Sequence, residues 1–234
     1  MSAMLGMLML FSCSTENEHQ LGDDSLYFKL EELDHDELMK EYDLLKSHIE
    51  LNKKKYAEKG VKETGEYITE VMTDSLFHFW YDTPWDFNGV TQKPRKGNIA
   101  CGYFVTTTML HCGFKLDRVK LAQQAASIII RTLCSLTSIK TFTGKNFKGL
   151  KNYLSRADDG LYLIGLDNHV GFIHKEDTSI VMIHADYIND KVCRERIDDC
   201  KAILNSKFHM VGSITSNADV LRAWKKGEKI EMKD

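Results

Sequence analysis

The apolar residues of this chain change their spacing at Gly160, and that change limits the folds open to it. Upstream, Leu38, Tyr42, Leu45, Ile49 and Tyr56 recur three, four and seven residues apart with charges between them. This is the pattern of an amphipathic helix over residues 34–58. Gly60 ends it, and Ile68, Val71, Met72, Leu76 and Phe79 mark a second helix over 64–80. Downstream of Gly160, residues 161–166, 169–174 and 180–185 form short apolar runs parted by turn residues, as in antiparallel hairpins. Residues 194–205 read as a helix and 208–214 as a further strand. Asn217 caps a last helix that stops at Gly227. Helices followed by a run of strands give the α+β class. At 234 residues and 43% hydrophobic, the chain can bury one sizeable core.

Between these halves lie segments of different character. Residues 81–98 hold both prolines of the chain, Pro84 and Pro94, with Gly89 and Gly97, and read as a shaped loop. A helix starts near Cys101 and closes at Gly113, a C-cap residue. Another, apolar through its middle, runs over 117–136. The helices over 34–80 carry no evident chemistry and read as a packing extension or a partner-binding arm.

The first residues stand apart. Met4 to Phe11 is almost wholly apolar, Ser12-Cys13 follows, and the chain then turns polar and acidic. A short apolar run before Cys reads as a lipoprotein signal over 1–13, with Cys13 as the lipid-bearing residue and 14–33 as a linker. The run is too short to span a bilayer. The expectation is a bacterial envelope protein held to the membrane by a lipid. A net charge of −3 gives no reason to expect nucleic acid as partner. The six cysteines form no CxxC pair, so Cys112, Cys134, Cys193 and Cys200 read as free thiols.

Three segments carry candidate chemistry. In Asn98-Ile99-Ala100-Cys101-Gly102, a cysteine sits at a helix start, where unpaired N–H groups and the helix dipole favour a thiolate and can stabilise an oxyanion. In His169-Val170-Gly171, a histidine opens a strand, and Gly171 leaves room for a group beside its ring. In Ile183-His184-Ala185-Asp186, His184 ends the next strand and can orient His169; Asp186, on the same face, is the alternative third residue.

Together these segments resemble the NlpC-type cell-wall peptidases of the papain-like superfamily. The resemblance rests on Trp85-Asp86-Phe87-Asn88-Gly89, on Cys101-Gly102-Tyr103-Phe104-Val105 with Gly113 closing, on His169-Val170-Gly171-Phe172-Ile173, and on Ile183-His184-Ala185. It spans about residues 80–187. The order of Cys before His differs from that of the circularly permuted relatives. Where the family usually has Asp before its Cys and Ser after it, this chain has Ala100 and Gly102. The resemblance implies a papain-like catalytic domain over 81–234, its nucleophile helix packed on an antiparallel sheet, with the helices over 34–80 as an extension. It implies Cys101 as nucleophile, His169 as base and His184 as the third residue. Trp85 or Gln92 is the candidate oxyanion or groove residue, and no cofactor or metal is expected. The implied activity is hydrolysis of amide bonds, with peptidoglycan stem peptides as substrate. A small-amide amidase and a catalytically decayed binding module on the envelope are the alternatives. A metal site from His169, His174 and His184 is disfavoured, because positions 169 and 174 of one strand point to opposite faces.

Overall fold

The computed structural model describes residues 25–233. The Cys13 expectation lies outside them. The chain opens with α1 (Ser25–Glu31), inside the segment read as a linker, and α2 (His35–Tyr56). Asp34 starts α2 with a capping box. Its carboxylate accepts from the backbone N–H of Asp36 and Glu37, and the Glu37 carboxylate accepts from Asp34 N–H. Next, α3 (Val61–Val71) passes through one π-helical turn at Met72–Leu76 into α4 (Phe77–Trp80). The helix expected over 64–80 is therefore continuous but under-wound at its centre. The Thr69 and Thr73 hydroxyls there bond back to carbonyls four residues earlier.

The site-bearing elements follow: α5 (Cys101–His111), β1 (Lys115–Leu116), α6 (Arg118–Ala122), α7 (Ala126–Leu133), β2 (Lys140–Thr143), α8 (Phe147–Leu154), β3 (Gly160–Gly165), β4 (Val170–Glu176) and β5 (Ser179–Asp186). The chain ends with β6 (Lys191–Arg196), α9 (Lys201–Asn205), β7 (Phe208–Ser213), α10 (Ala218–Lys226) and β8 (Lys229–Ile230). The strands β2-β7-β3-β4-β5-β6 form one antiparallel sheet in that order, and β1 and β8 a small parallel pair. The architecture is α+β. Two expectations are corrected. Residues 194–205 begin as edge strand β6, and only their end is helical. The helix expected over 117–136 is two helices, broken where Ala125 takes an extended backbone.

The central strands are buried on both faces, which is why they read as nearly unbroken apolar runs. Leu161, Leu163, Phe172 and Ile183 face the core formed by α2 to α5, α7 and α10. Tyr162, Ile164, Ile173 and Met182 face Leu150, Leu154 and Ile203 of α8 and α9. The helices over 34–80 share the first core: Tyr42, Ile49 and Ile68 pack in the same cluster as Phe104 and Phe172. Ring contacts of Phe172 with Phe77 (4.9 Å) and Phe104 (5.9 Å) set α4 and α5 on β4. No helix among the described residues is long and apolar enough to cross a membrane.

A buried polar pair ties α2 to the end of α5. Trp80 Nε1–H donates to the Tyr42 oxygen at 2.7 Å, and the Tyr42 hydroxyl lies 2.9 Å from His111 Nδ1. A neutral ring accepts that hydroxyl. Burial, with Lys46 and Arg118 nearby, lowers the His111 pKa to about 4 from 6.5. The folded pKa is depressed, so this contribution to stability is present above pH 6.5 and lost as pH falls towards 4. In urea unfolding between pH 7 and 4, the wild type should lose roughly 2 kcal/mol more stability than His111→Gln, a figure reduced for the ring's partial exposure. Parallel curves for the two proteins would refute the assignment.

Candidate active site

Cys101 is the first residue of α5, after Ala100 in extended conformation. The backbone N–H groups of Val170, Gly102 and Cys101 itself favour the thiolate form of its sulfur. The Val170 N–H belongs to the peptide joining His169 to Val170, so the thiol lies against the segment that carries His169. The expected lowering of the thiol pKa is present in these N–H contacts, but burial outweighs it and the net direction is up. In the resting protein the group is a neutral thiol that needs a base.

His169 stands one residue before β4, at the end of a tight turn in which its carbonyl accepts from Leu166 N–H. The ring is 4% exposed, and burial, helped by the neighbouring His184, holds its pKa well below 6.5. His169 Nε2 lies 2.8 Å from His184 Nδ1, and His184 Nε2 lies 2.9 Å from a Glu195 carboxylate oxygen. Burial would raise the Glu195 pKa, but bonds from His184 and Cys200 bring it below the ordinary value. A carboxylate can only accept, so the proton between these groups is on His184 Nε2. In the tautomer where His184 Nδ1 accepts, His169 Nε2 donates and His169 Nδ1 keeps its lone pair.

The expected third residue, His184, thus touches His169, and the alternative, Asp186, does not. The Asp186 carboxylate accepts from Ile188 N–H, Asn189 N–H and Asn189 Nδ2 and braces the turn after β5. Trp85 is half-buried, and its ring lies 6.2 Å from that of Tyr187, which itself lies 5.3 Å from the His169 ring. The loop over 81–98 reaches this place by pairing with β6: Asp82 N–H donates to Val192 O, Val192 N–H to Thr83 O, and Trp85 N–H to Asp190 O. Gln92 is exposed in the turn braced by Thr91, and no hydrogen bond among the described residues links it to Cys101 or His169.

Glycines admit the close contacts. A Cβ on Gly171 would meet the Cβ of His184 at 2.8 Å, so the bare position lets His184 come up beside it. A Cβ on Gly102 would meet the Ala122 carbonyl oxygen at 2.3 Å. The end of α6 therefore occupies the space a serine would need after the cysteine, which gives the departure at position 102 a physical cause.

His174 does not join His169 and His184. It lines a cleft of about 1310 Å³ towards the other end of β4, among Glu66, Asp74, Arg156, Asp159 and Lys175. None of Cys101, His169 or His184 lines that cleft. Cys101 and His169 therefore stand as candidates apart from that cleft.

Two residues of this neighbourhood were missed in the sequence: Glu195, and Cys193, whose sulfur is 3.8 Å from His184 Nε2. Burial, then Glu195 and Asp186, push the Cys193 thiol up to about 12. The described cysteines are all free thiols. Comparison of the chain with family models, with curated proteins and with solved structures finds no match.

The contact at position 102 is open to a direct measurement. Gly102→Ser should cost about 1–3 kcal/mol, because backbone and not a flexible side chain stands in the way. An unchanged urea midpoint would show that α6 does not approach α5 as described.

Proposed function

We propose that the chain is a papain-like cysteine hydrolase of the NlpC type, in which Cys101 attacks an amide carbonyl and His169 moves the protons. The reading is carried by the hydrogen-bonded line His169–His184–Glu195 beside a thiol at a helix start. In this reading His169 Nδ1 is the acceptor that takes the thiol proton. As that proton transfers, the sulfur bonds to the carbonyl carbon, and the oxyanion is stabilised by the Cys101 backbone N–H. The imidazolium then gives its proton to the amine as the carbon–nitrogen bond breaks. Water attacks the thioester, its proton passes to His169, and acid and thiol are released. His184 and Glu195 are positioning residues: they fix the tautomer of the base and do not touch substrate.

The substrate we assign is a peptide bond of the peptidoglycan stem. An envelope lipoprotein anchored through Cys13 would lie beside that polymer, and Trp85 and Tyr187 would wall the groove. Digestion of purified sacculi, followed by mass analysis, should release stem-peptide fragments with the wild type and none with Cys101→Ala or His169→Ala. Cys101-independent release would refute the nucleophile. A thiol that reacts with an electrophilic probe while releasing nothing would remove peptidoglycan as target.

Glu195 separates this proposal from a bare Cys–His pair. Glu195→Ala frees His184 to take either tautomer and should lower kcat by about a hundredfold, within the range a general base contributes. Glu195→Gln keeps an oxygen that accepts from His184 Nε2 and should recover most of that loss. Equal activity of the alanine and glutamine variants would show that Glu195 does not set the tautomer.

A further inference from the structure

The hairpin that orients the base presents four metal-type donors on one face. In the β5–β6 ladder His184 is opposite Cys193, Asp186 opposite Lys191, and Met182 opposite Glu195. Strand alternation sets His184 and Asp186 of β5 on the same face as Cys193 and Glu195 of β6. One donor atom from each of these four residues lies within 4.8 Å of the others. Ligands of a tetrahedral zinc ion stand about 3.3–3.8 Å apart for bonds of about 2.0–2.3 Å, so modest side-chain rotations complete the set.

The surroundings are those of a ligand shell. Asp186 is 1% exposed, and its described bonds are all from N–H groups of the turn and none from a cation. Glu195 stands close by, half-buried. The buried Asp186 carboxylate beside the half-buried Glu195 suits a cation, because buried charge is costly unless paired or bound to metal. The turn N–H groups fix the Asp186 carboxylate, and His169 fixes the His184 ring, as outer-shell partners do in metal sites. One nitrogen, one sulfur and two oxygens suit a borderline ion, and zinc(II) fits them.

We propose that His184 Nε2, Cys193 Sγ, Asp186 and Glu195 form a zinc site whose occupancy turns off the base His169. The switch rests on the hydrolase reading; the binding does not. Zinc takes the lone pair of His184 Nε2, so the ring's one proton must sit on Nδ1. That N–H now donates to His169 Nε2, and the proton of His169 must sit on Nδ1, where it bars transfer from the Cys101 thiol. Each imidazole keeps one proton on its other nitrogen, and the Cys193 thiol releases one proton to solvent. No bond to Cys101 is involved, which separates this site from simple capture of the nucleophile.

The test uses full-length Cys101→Ala protein and cobalt(II) as the spectroscopic probe. We expect one cobalt per chain with a thiolate-to-cobalt absorption band, displaced by zinc and lost in Cys101→Ala/Cys193→Ser. Absence of the band, or its persistence without Cys193, overturns the site. Cys101→Ala/Glu195→Gln, nearly the same shape, should weaken cobalt binding by more than about tenfold; unchanged affinity also overturns the site. With Cys101 present, zinc should inhibit hydrolysis in step with occupancy, and a chelator should restore it. Full turnover at saturating zinc overturns the switch while leaving the site. Absence of any Cys101-dependent turnover overturns the hydrolase reading and the switch together, whereas the cobalt band reports the site alone.

Discussion

A histidine ring taken out of water must satisfy two nitrogens, and this requirement organises the middle of the molecule. The sheet is covered on both faces, so water cannot partner the buried His184 ring. Its partners are side chains from the neighbouring strand and turn: His169 ahead of β4 on one side and Glu195 of β6 on the other. The carboxylate end of that line has no proton to give, and this fixes the direction of the hydrogen bond from His184 Nε2 to Glu195. One structural demand, satisfying buried polar groups, thereby joins His169 to Glu195 through His184.

The first turn of α5 lies close to the His169 segment, and closeness depends on atoms that are missing. Gly171 leaves the space into which His184 moves, and Gly102 lets the Ala122 carbonyl reach the first turn of α5. The rings of Phe77, Phe104 and Phe172 fill the core just behind. The same packing that brings the thiol to the histidine segment takes it out of water, so burial and the helix N–H groups act on its pKa in opposite senses and burial wins. Burial thus favours the neutral form of the thiol and of the His169 imidazole alike.

Much of this arrangement was legible in the sequence. Cys101 follows a turn-rich loop and precedes an apolar helix; His169 and His184 sit at the ends of apolar runs that could only be strands. Glu195 was not legible, because β6 is an edge strand. Lys191, Arg194 and Arg196 keep such an edge soluble, and with Ile197 and Ile203 beyond them they imitate the charge spacing of a helix. The short β2 was hidden for the same reason, being mostly exposed at the other edge. The break between α6 and α7 was invisible because it answers a tertiary demand, the contact of Ala122 with Gly102, and not a local signal.

Asp186 shows why a residue can matter to the candidate site without touching His169. A strand register that slipped by one position would exchange the faces of β6, turning Glu195 away from His184 and bringing Arg194 in its place. The turn over 187–190 prevents this. The Asp186 carboxylate holds the N–H groups of Ile188 and Asn189, Asp190 takes a left-handed backbone with φ of 55°, and Lys191 then pairs opposite Asp186. Lys191 is also tied outward to Asp82 at 2.6 Å, which joins the same corner to the loop carrying Trp85. Asp186 therefore acts on His184 through the backbone. It sets which β6 side chains face His184, and with them whether the imidazole meets a carboxylate that orders its proton or a guanidinium that would reverse it.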